Sequence, residues 1–240
     1  MADVRLFIDR PEGEGQMTEG EAVTLSPEQA HYLFGVMRLR EGDGLHVFDG
    51  RSGEHAATVE AAGRRAGALR LGLRTRPLRR PPDLWLLFAP IKKARTDFIV
   101  EKAAELGAAR ICPVRTERTQ SERVRADRLR AHAVEAVEQC GGTFVPEVAE
   151  MAPLGAVLDA WDPARRLVFC DEALVGEPGG MPEAPPPAAI LVGPEGGFSE
   201  AERARLRGVA AVASLGPRVL RADTAAVAAL ALWQAAWGDW

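Results

Sequence analysis

Apolar and polar positions change rhythm along the chain near residue 80. Before that point, short alternating runs recur as "VRLFI" (4–8), "AVTL" (22–25), "LHVF" (45–48), "HAATVE" (55–60) and "ALRLGLR" (68–74). A two-residue period sends successive side chains to opposite faces, so each run predicts a strand with one buried face. Between them, "PEGEG", "EGDG" and "DGRSG" supply the residues that tight turns need. A small antiparallel barrel or sandwich is expected, interrupted by one helix. There Ser26 can cap, Pro27 suits the first helical position, and Gln29 completes a capping box ahead of "AHYLFGVMRLR". On that helix His31, Gly35 and Arg38 fall on one face. Arg38 either reaches a phosphate or complements the helix's C-terminal dipole.

After the proline- and arginine-rich "RPLRRPPD", strands and helices alternate. "LWLLFAP", "RICPV", "RRLVFCDE", "AAILVGPEGG" and "RGVAAVASLGPR" read as strands. "ARTDFIVEKAAELG", closed by Gly107, and "RVRADRLRAHAVEAVEQCGG" read as helices. Continuous apolar runs such as Ile190, Leu191 and Val192 are what a strand buried on both faces requires. The fold class expected is α/β: a mostly parallel sheet with helices on both faces, preceded by the small β-barrel. The expected division is a barrel over 1–74, a linker over 75–83 and the α/β domain over 84–240. Thr224 to Trp237 predicts a last helix too apolar to face water all round. With Trp233, Trp237 and Trp240 it points to a homodimer surface.

Composition adds bounds. The chain has 240 residues, and 47% hydrophobic content is ample for a packed core. Net charge is −4, yet arginines cluster in "LRTRPLRRPP" and in "VRTERTQSERVRADRLR", which includes Arg118. Such clusters suit either a local nucleic-acid footprint or a solvated helix face. Cys112, Cys140 and Cys170 are far apart and read as reduced core residues; no metal site is visible. "MADVRLFIDRPEGEG" lacks the regions of a signal peptide, and the apolar "TAAVAALALWQAAW" is too short to span a bilayer, so a cytoplasmic protein is expected.

The chemistry concentrates in two glycine turns, "VGPEGGF" and "SLGPRVLRADTA", which follow consecutive strands. Ser199 and Glu202 form a capping box that opens a helix after the first. Open α/β sheets bind ligands at the carboxyl ends of their strands, so a shared pocket is expected between the turns; ligand-free βα loops are the alternative. Neither G-x-x-x-x-G-K-[ST] nor G-x-G-x-x-G is present. Glu195 would repel a phosphate, which favours a ligand that is uncharged or cationic where it meets this loop.

"EKAAELG", "VEQCGG", "LVGPEGGFSEAE" and "SLGPRVLRADTAA", in that order, resemble the RsmE family of ribosomal RNA small-subunit uridine-N3 methyltransferases, within the knotted SPOUT enzymes. "VRLFI" and "HYLFGVMRLREGD" resemble that family's PUA-like RNA-binding domain, so the likeness covers nearly the whole chain. It implies a trefoil knot in the C-terminal domain, S-adenosylmethionine as cofactor and 16S ribosomal RNA, free or in the assembled subunit, as substrate. It also implies a homodimer whose partner helps build each active site. The implied cofactor loops are Leu191 with Gly193, Pro194, Glu195, Gly196 and Gly197, and Leu215, Gly216, Val219 and Leu220 followed by Thr224 and Ala225. The strand end at Cys170, Asp171 and Glu172 completes the pocket. Arg5, His31, Arg38 and Arg118 are the candidate RNA contacts. Methylation at N3 puts negative charge on the uracil, and Arg221 is the candidate that stabilises it, with Asp223 a candidate proton acceptor. The family more often has T-E-T-A where this chain has Ala222-Asp223-Thr224-Ala225. A non-catalytic ribosomal RNA-binding assembly factor and a nucleotide-dependent oxidoreductase are the alternative readings.

Overall fold

The computed structural model describes residues 4–11, 13–121, 123–177 and 180–240. Contacts divide the chain into two compact units. One extends to Arg80 and takes in Val137–Phe144; the other holds Pro81–Ala136 and Val145–Trp240.

In the first unit β1 (Arg5–Phe7), β2 (Ala22–Thr24), β3 (Gly44–Phe48), β4 (Glu54–Ala62) and β5 (Gly67–Arg76) form a sheet ordered β1-β3-β4-β5-β2. β1 runs parallel to β3, and the remaining pairs are antiparallel. The alternation seen in the sequence becomes the core. Leu45 and Val47 of β3, Ala57 and Val59 of β4, and Leu69 and Leu71 of β5 are all buried in one cluster. Each large aliphatic side chain so buried contributes about 1.5–3 kcal/mol. β5 reaches two residues into the segment expected to be a linker, because Thr75 Oγ1 and Arg76 Nε donate to Glu54 Oε1 at 2.9 and 2.8 Å.

The capping box of Ser26 and Gln29 opens α1 (Pro27–Ala30) as expected. The helix then widens into a π-helix over His31–Val36 instead of continuing as α. Leu33 is buried, and Tyr32, Phe34, Met37 and Leu39 pack on the same core. Apolar residues at that spacing do not share one face of a 3.6-residue turn, and the extra residue of a π-turn re-aims them. The segment ends at Arg38, which has φ 60°.

The second unit is built from β6 (Leu84–Phe88), α2 (Lys93–Glu105), β7 (Arg110–Arg115), α3 (Ala126–Cys140), β8 (Glu147–Val148), β9 (Ala152–Pro153), α4 (Leu154–Asp159), β10 (Arg166–Cys170), β11 (Ala188–Val192), α5 (Glu200–Val209), β12 (Ala211–Ala213) and α6 (Ala222–Trp237). The sheet order is β12-β10-β11-β6-β7-β8, with β9 paired to β7, and every pairing is parallel. All five residues of β11 are buried, which accounts for its uninterrupted apolar run. The two-residue strands β8 and β9 and the short α4 were not expected; they are too brief to imprint a period on the sequence.

α6 lies against α2 and β11. Trp233, expected at a subunit surface, is instead fully buried and its indole N–H donates to Ala184 O at 2.7 Å. Gln234 Nε2 donates to Leu106 O at 2.7 Å, anchoring α6 to the end of α2. Leu232 and Trp240 are the exposed large apolar residues of this segment.

Candidate active site

β12, β10 and β11 are neighbours in the sheet, and the loops at their carboxyl ends enclose a cavity of about 310 Å³. Parallel strands present their ends together, so loops remote in sequence converge there. The β10 end contributes Cys170, Asp171, Glu172 and Val175. Val192, Gly193, Pro194 and Glu195 follow from β11. The third wall runs from Ala213 to Gly216 and then through Arg218, Val219, Leu220 and Arg221 to Ala222, with Ala225 behind it. The walls are tied together: Asp171 N–H donates to Ala213 O at 3.2 Å, and Ser214 Oγ donates to Leu174 O at 3.1 Å.

Of the residues expected to meet a cofactor, Leu191, Gly196, Gly197 and Thr224 do not line this cavity, while the others named above do. Gly197 acts behind the wall. It has φ 67°, and a Cβ there would fall 2.1 Å from Glu172 Oε1. Gly193 is needed for a different reason, since a Cβ would lie 2.5 Å from the Phe198 ring. That ring is fully buried and meets Phe169 edge to face at 5.0 Å. Gly196 is the unconstrained member, with ordinary contact to Arg118 Cβ at 3.5 Å.

Asp171 and Glu172 have their carboxylates occupied. Asp171, buried, accepts from Arg203 Nε at 2.9 Å, Arg207 at 2.7 Å and Ala173 N–H at 3.0 Å. Glu172 Oε1 accepts from Phe198 N–H at 3.1 Å and from Arg203. Burial opposes the Arg203 charge, but Glu172 and Asp171 outweigh it and hold its pKa above the ordinary arginine value. These groups brace the Gly193–Phe198 turn from outside. Glu195 faces Arg95 at 3.8 Å, and Arg95 also pairs with Asp223 at 3.3 Å. Asp223 does not line the cavity, and its carboxylate accepts from Arg95, 128 residues earlier.

Arg221 caps the start of α6 in extended geometry, is exposed, lines the cavity, and makes no side-chain hydrogen bond or ion pair with the described residues. Burial pushes the Cys170 thiol up to about 12. Cys112 is held at about 11 chiefly by burial. Among the described residues no group of His, Cys, Asp or Glu is suited to a metal, and no helix is long and apolar enough to cross a membrane.

The four expected RNA contacts separate. Arg5 is a correction. Its side chain is 8% exposed, and its guanidinium donates to Glu54 Oε2 (2.8 Å) and to the carbonyls of Val137, Glu138 and Gly142 (2.8, 2.9 and 2.6 Å), which leaves it bound within the protein. Burial raises the Glu54 pKa, but hydrogen bonds from Arg76, Arg5 and Thr75 together bring it down to about 2. His31 and Arg38 are exposed and make no hydrogen bond or ion pair with the described residues. His31 lies across Gly35, where a Cβ would come within 2.9 Å of its Nδ1. Arg118 is exposed but donates to Gly196 O at 2.9 Å, beside a second tie from Glu117 N–H to Glu202 Oε1 at 2.8 Å. Arg218 was not singled out from the sequence, although it sits within the quoted "SLGPRVLRADTAA".

An RNA methyltransferase domain family model matches residues 79–234, and an RNA methyltransferase PUA domain model matches residues 25–71. The chain is 31% identical over 218 residues to ribosomal RNA small subunit methyltransferase E of Synechocystis sp., covering 87% of this chain and 71% of that one. It is 29% identical to the Rickettsia conorii protein of the same name, covering 95% and 93%. The crystal structure of ribosomal RNA small subunit methyltransferase E from Neisseria gonorrhoeae bound to S-adenosylmethionine superposes with a TM-score of 0.86, at 26% identity and 99% coverage of both chains. A Legionella pneumophila protein solved in complex with the same cofactor gives 0.86 at 30% identity and 100% coverage of both.

Proposed function

Because the chain belongs to the ribosomal RNA small subunit methyltransferase E family, with its SPOUT-class α/β domain and PUA-like N-terminal sheet, we propose that it methylates N3 of a uridine in small-subunit ribosomal RNA. S-adenosylmethionine is the cofactor this family membership carries, and the cavity fits it. Val175, Val192, Leu215, Val219, Leu220 and Ala225 offer an apolar bed for a purine, and the loop backbones offer hydrogen bonds to its polar edge. Each carboxylate on the wall already faces an arginine. When bound, the cofactor supplies an electrophilic methyl group.

The observation that carries the N3 reading is the unpartnered Arg221 guanidinium on the cavity wall. Loss of the N3 proton spreads negative charge over N3 and the flanking carbonyl oxygens, and a guanidinium fork can bind such an oxygen as charge develops. The proton passes to water, and Asp223 positions the α6 start through Arg95. The unit built on the N-terminal sheet binds the RNA, with His31 and Arg38 at the contact and Arg118 beside the pocket. The protein works in the cytoplasm as a homodimer, joined through the exposed apolar positions at the end of α6. Nucleoside mass spectrometry of ribosomal RNA from a strain lacking this chain tests the reading. Loss of 3-methyluridine, restored by wild type and not by Arg221→Ala, is expected; unchanged 3-methyluridine would leave RNA binding without methylation as the function.

A further inference from the structure

The charges on the cavity wall do not balance. Its carboxylates are Asp171, Glu172 and Glu195. Asp171 is held by Arg203 and Arg207, Glu172 by Arg203, and Glu195 faces Arg95, none of which lines the cavity. The acids are therefore matched from behind the wall. The wall's own cations are Arg218 and Arg221, and neither makes a hydrogen bond or ion pair with the described residues. Two unmatched guanidiniums facing one pocket call for two anionic partners. Building on the cofactor reading above, one such partner is transient, the charge developing on the uracil, and Arg221 at the start of α6 is placed for it. The other is permanent. S-adenosylmethionine ends in an α-amino carboxylate, and among the described residues no other wall side chain is a free cation.

We propose that Arg218 binds the carboxylate of the cofactor's amino-acid end, so that this loop recognises the whole cofactor and not its nucleoside half alone. The loop is built to hold that position. Gly216, with φ 102°, makes the turn before it, and Gly216 O accepts from Gly176 N–H at 3.4 Å, tying the loop to the one after β10. Arg218 itself is exposed. A planar fork matches a carboxylate through two parallel N–H···O bonds, which a lysine cannot reproduce. This gives the pocket a means of rejecting nucleosides that lack the amino-acid end, because they leave the guanidinium unmatched.

The test is calorimetric binding of three ligands to the full chain: S-adenosylhomocysteine, its decarboxylated analogue that keeps the amine, and 5′-methylthioadenosine. Wild type is expected to prefer S-adenosylhomocysteine over the decarboxylated analogue by about tenfold or more, the range of a charge-assisted hydrogen bond. Arg218→Ala should lose that preference while binding the other two ligands as wild type does, and Arg218→Lys should recover only part of it. Arg221→Ala should keep the preference. Thermal melts of each variant separate lost recognition from lost folding; with no protein partner for its side chain, Arg218→Ala is expected to melt as wild type does. Equal weakening of all three ligands by Arg218→Ala would overturn the proposal in favour of a loop-holding role. Unchanged S-adenosylhomocysteine affinity alongside weakened RNA binding would overturn it in favour of a phosphate contact. Failure of wild type to bind any of the three would overturn the cofactor reading itself, and this proposal with it.

Discussion

Arg38→Gly is expected to stabilise the protein and weaken its hold on RNA. Leu39 N–H donates to Leu33 O at 3.0 Å, a seven-to-one bond that closes the π-helix one residue wider than a Schellman end, and Arg38 occupies the left-handed position just before it. An L-residue at positive φ costs roughly 1–2 kcal/mol relative to glycine. Arg38 recovers little of that, since its exposed side chain makes no hydrogen bond or ion pair with the described residues and its attraction to the helix end is worth about 0.3–1 kcal/mol. The balance favours glycine by about 0.5–1 kcal/mol, or about 2 °C in melting temperature for a chain of this size. On the proposed function, the side chain is there for RNA and not for the turn. Removing one phosphate contact should flatten the slope of log affinity against log salt by about 0.7–0.9. Calorimetric melting and RNA anisotropy titrations at several salt concentrations read both effects on the same preparation. A variant that melts lower than wild type and binds RNA with unchanged affinity and salt slope would refute this reasoning and leave Arg38 as a helix-end charge.

Arg221→Ala should slow single-turnover methylation by roughly 10²–10³, the loss typical of one oxyanion-type donor, and higher pH should partly restore it; a normal single-turnover rate would make Arg221 structural. Gly197→Ala should displace Glu172 and lose cofactor binding through strain of roughly 1–3 kcal/mol, whereas Gly196→Ala, with an unobstructed Cβ, should bind normally in calorimetry. Glu54 has its pKa lowered from 4.5 to about 2, so its ionised form supports folding above pH 4.5, and that support fades as pH falls toward 2. Glu54→Gln should therefore be less stable than wild type by on the order of 2–3 kcal/mol at pH 7 in urea unfolding, with the gap narrowing through that window; a gap independent of pH would remove the charge from the account. Light scattering at micromolar concentration should report a dimer, and a fully active monomer would contradict the proposed assembly.

What the sequence determined by itself lay within a few residues of chain. Both capping boxes, Ser26 with Gln29 and Ser199 with Glu202, are formed as read, and Gly107 takes its positive φ just past α2, because each of these bonds spans a single turn. The alternation before residue 80 and the unbroken apolar run of β11 likewise report burial directly, since strand geometry alone decides which faces a side chain meets. Partners were another matter. Arg5 reads as a free cation until Val137, Glu138 and Gly142 bring their carbonyls to it from more than 130 residues away. Asp171 and Glu172 line the cavity as the sequence suggested, but only the fold shows that α5 delivers Arg203 and Arg207 behind them and that Arg95 pairs with Asp223. Arg218 and Arg221 gain significance only in comparison, as the wall cations left unmatched once those pairings are made. A charge is a property of one residue, but its availability depends on which others the strand order β12-β10-β11-β6 brings alongside, and that order is decided by packing over the whole sheet.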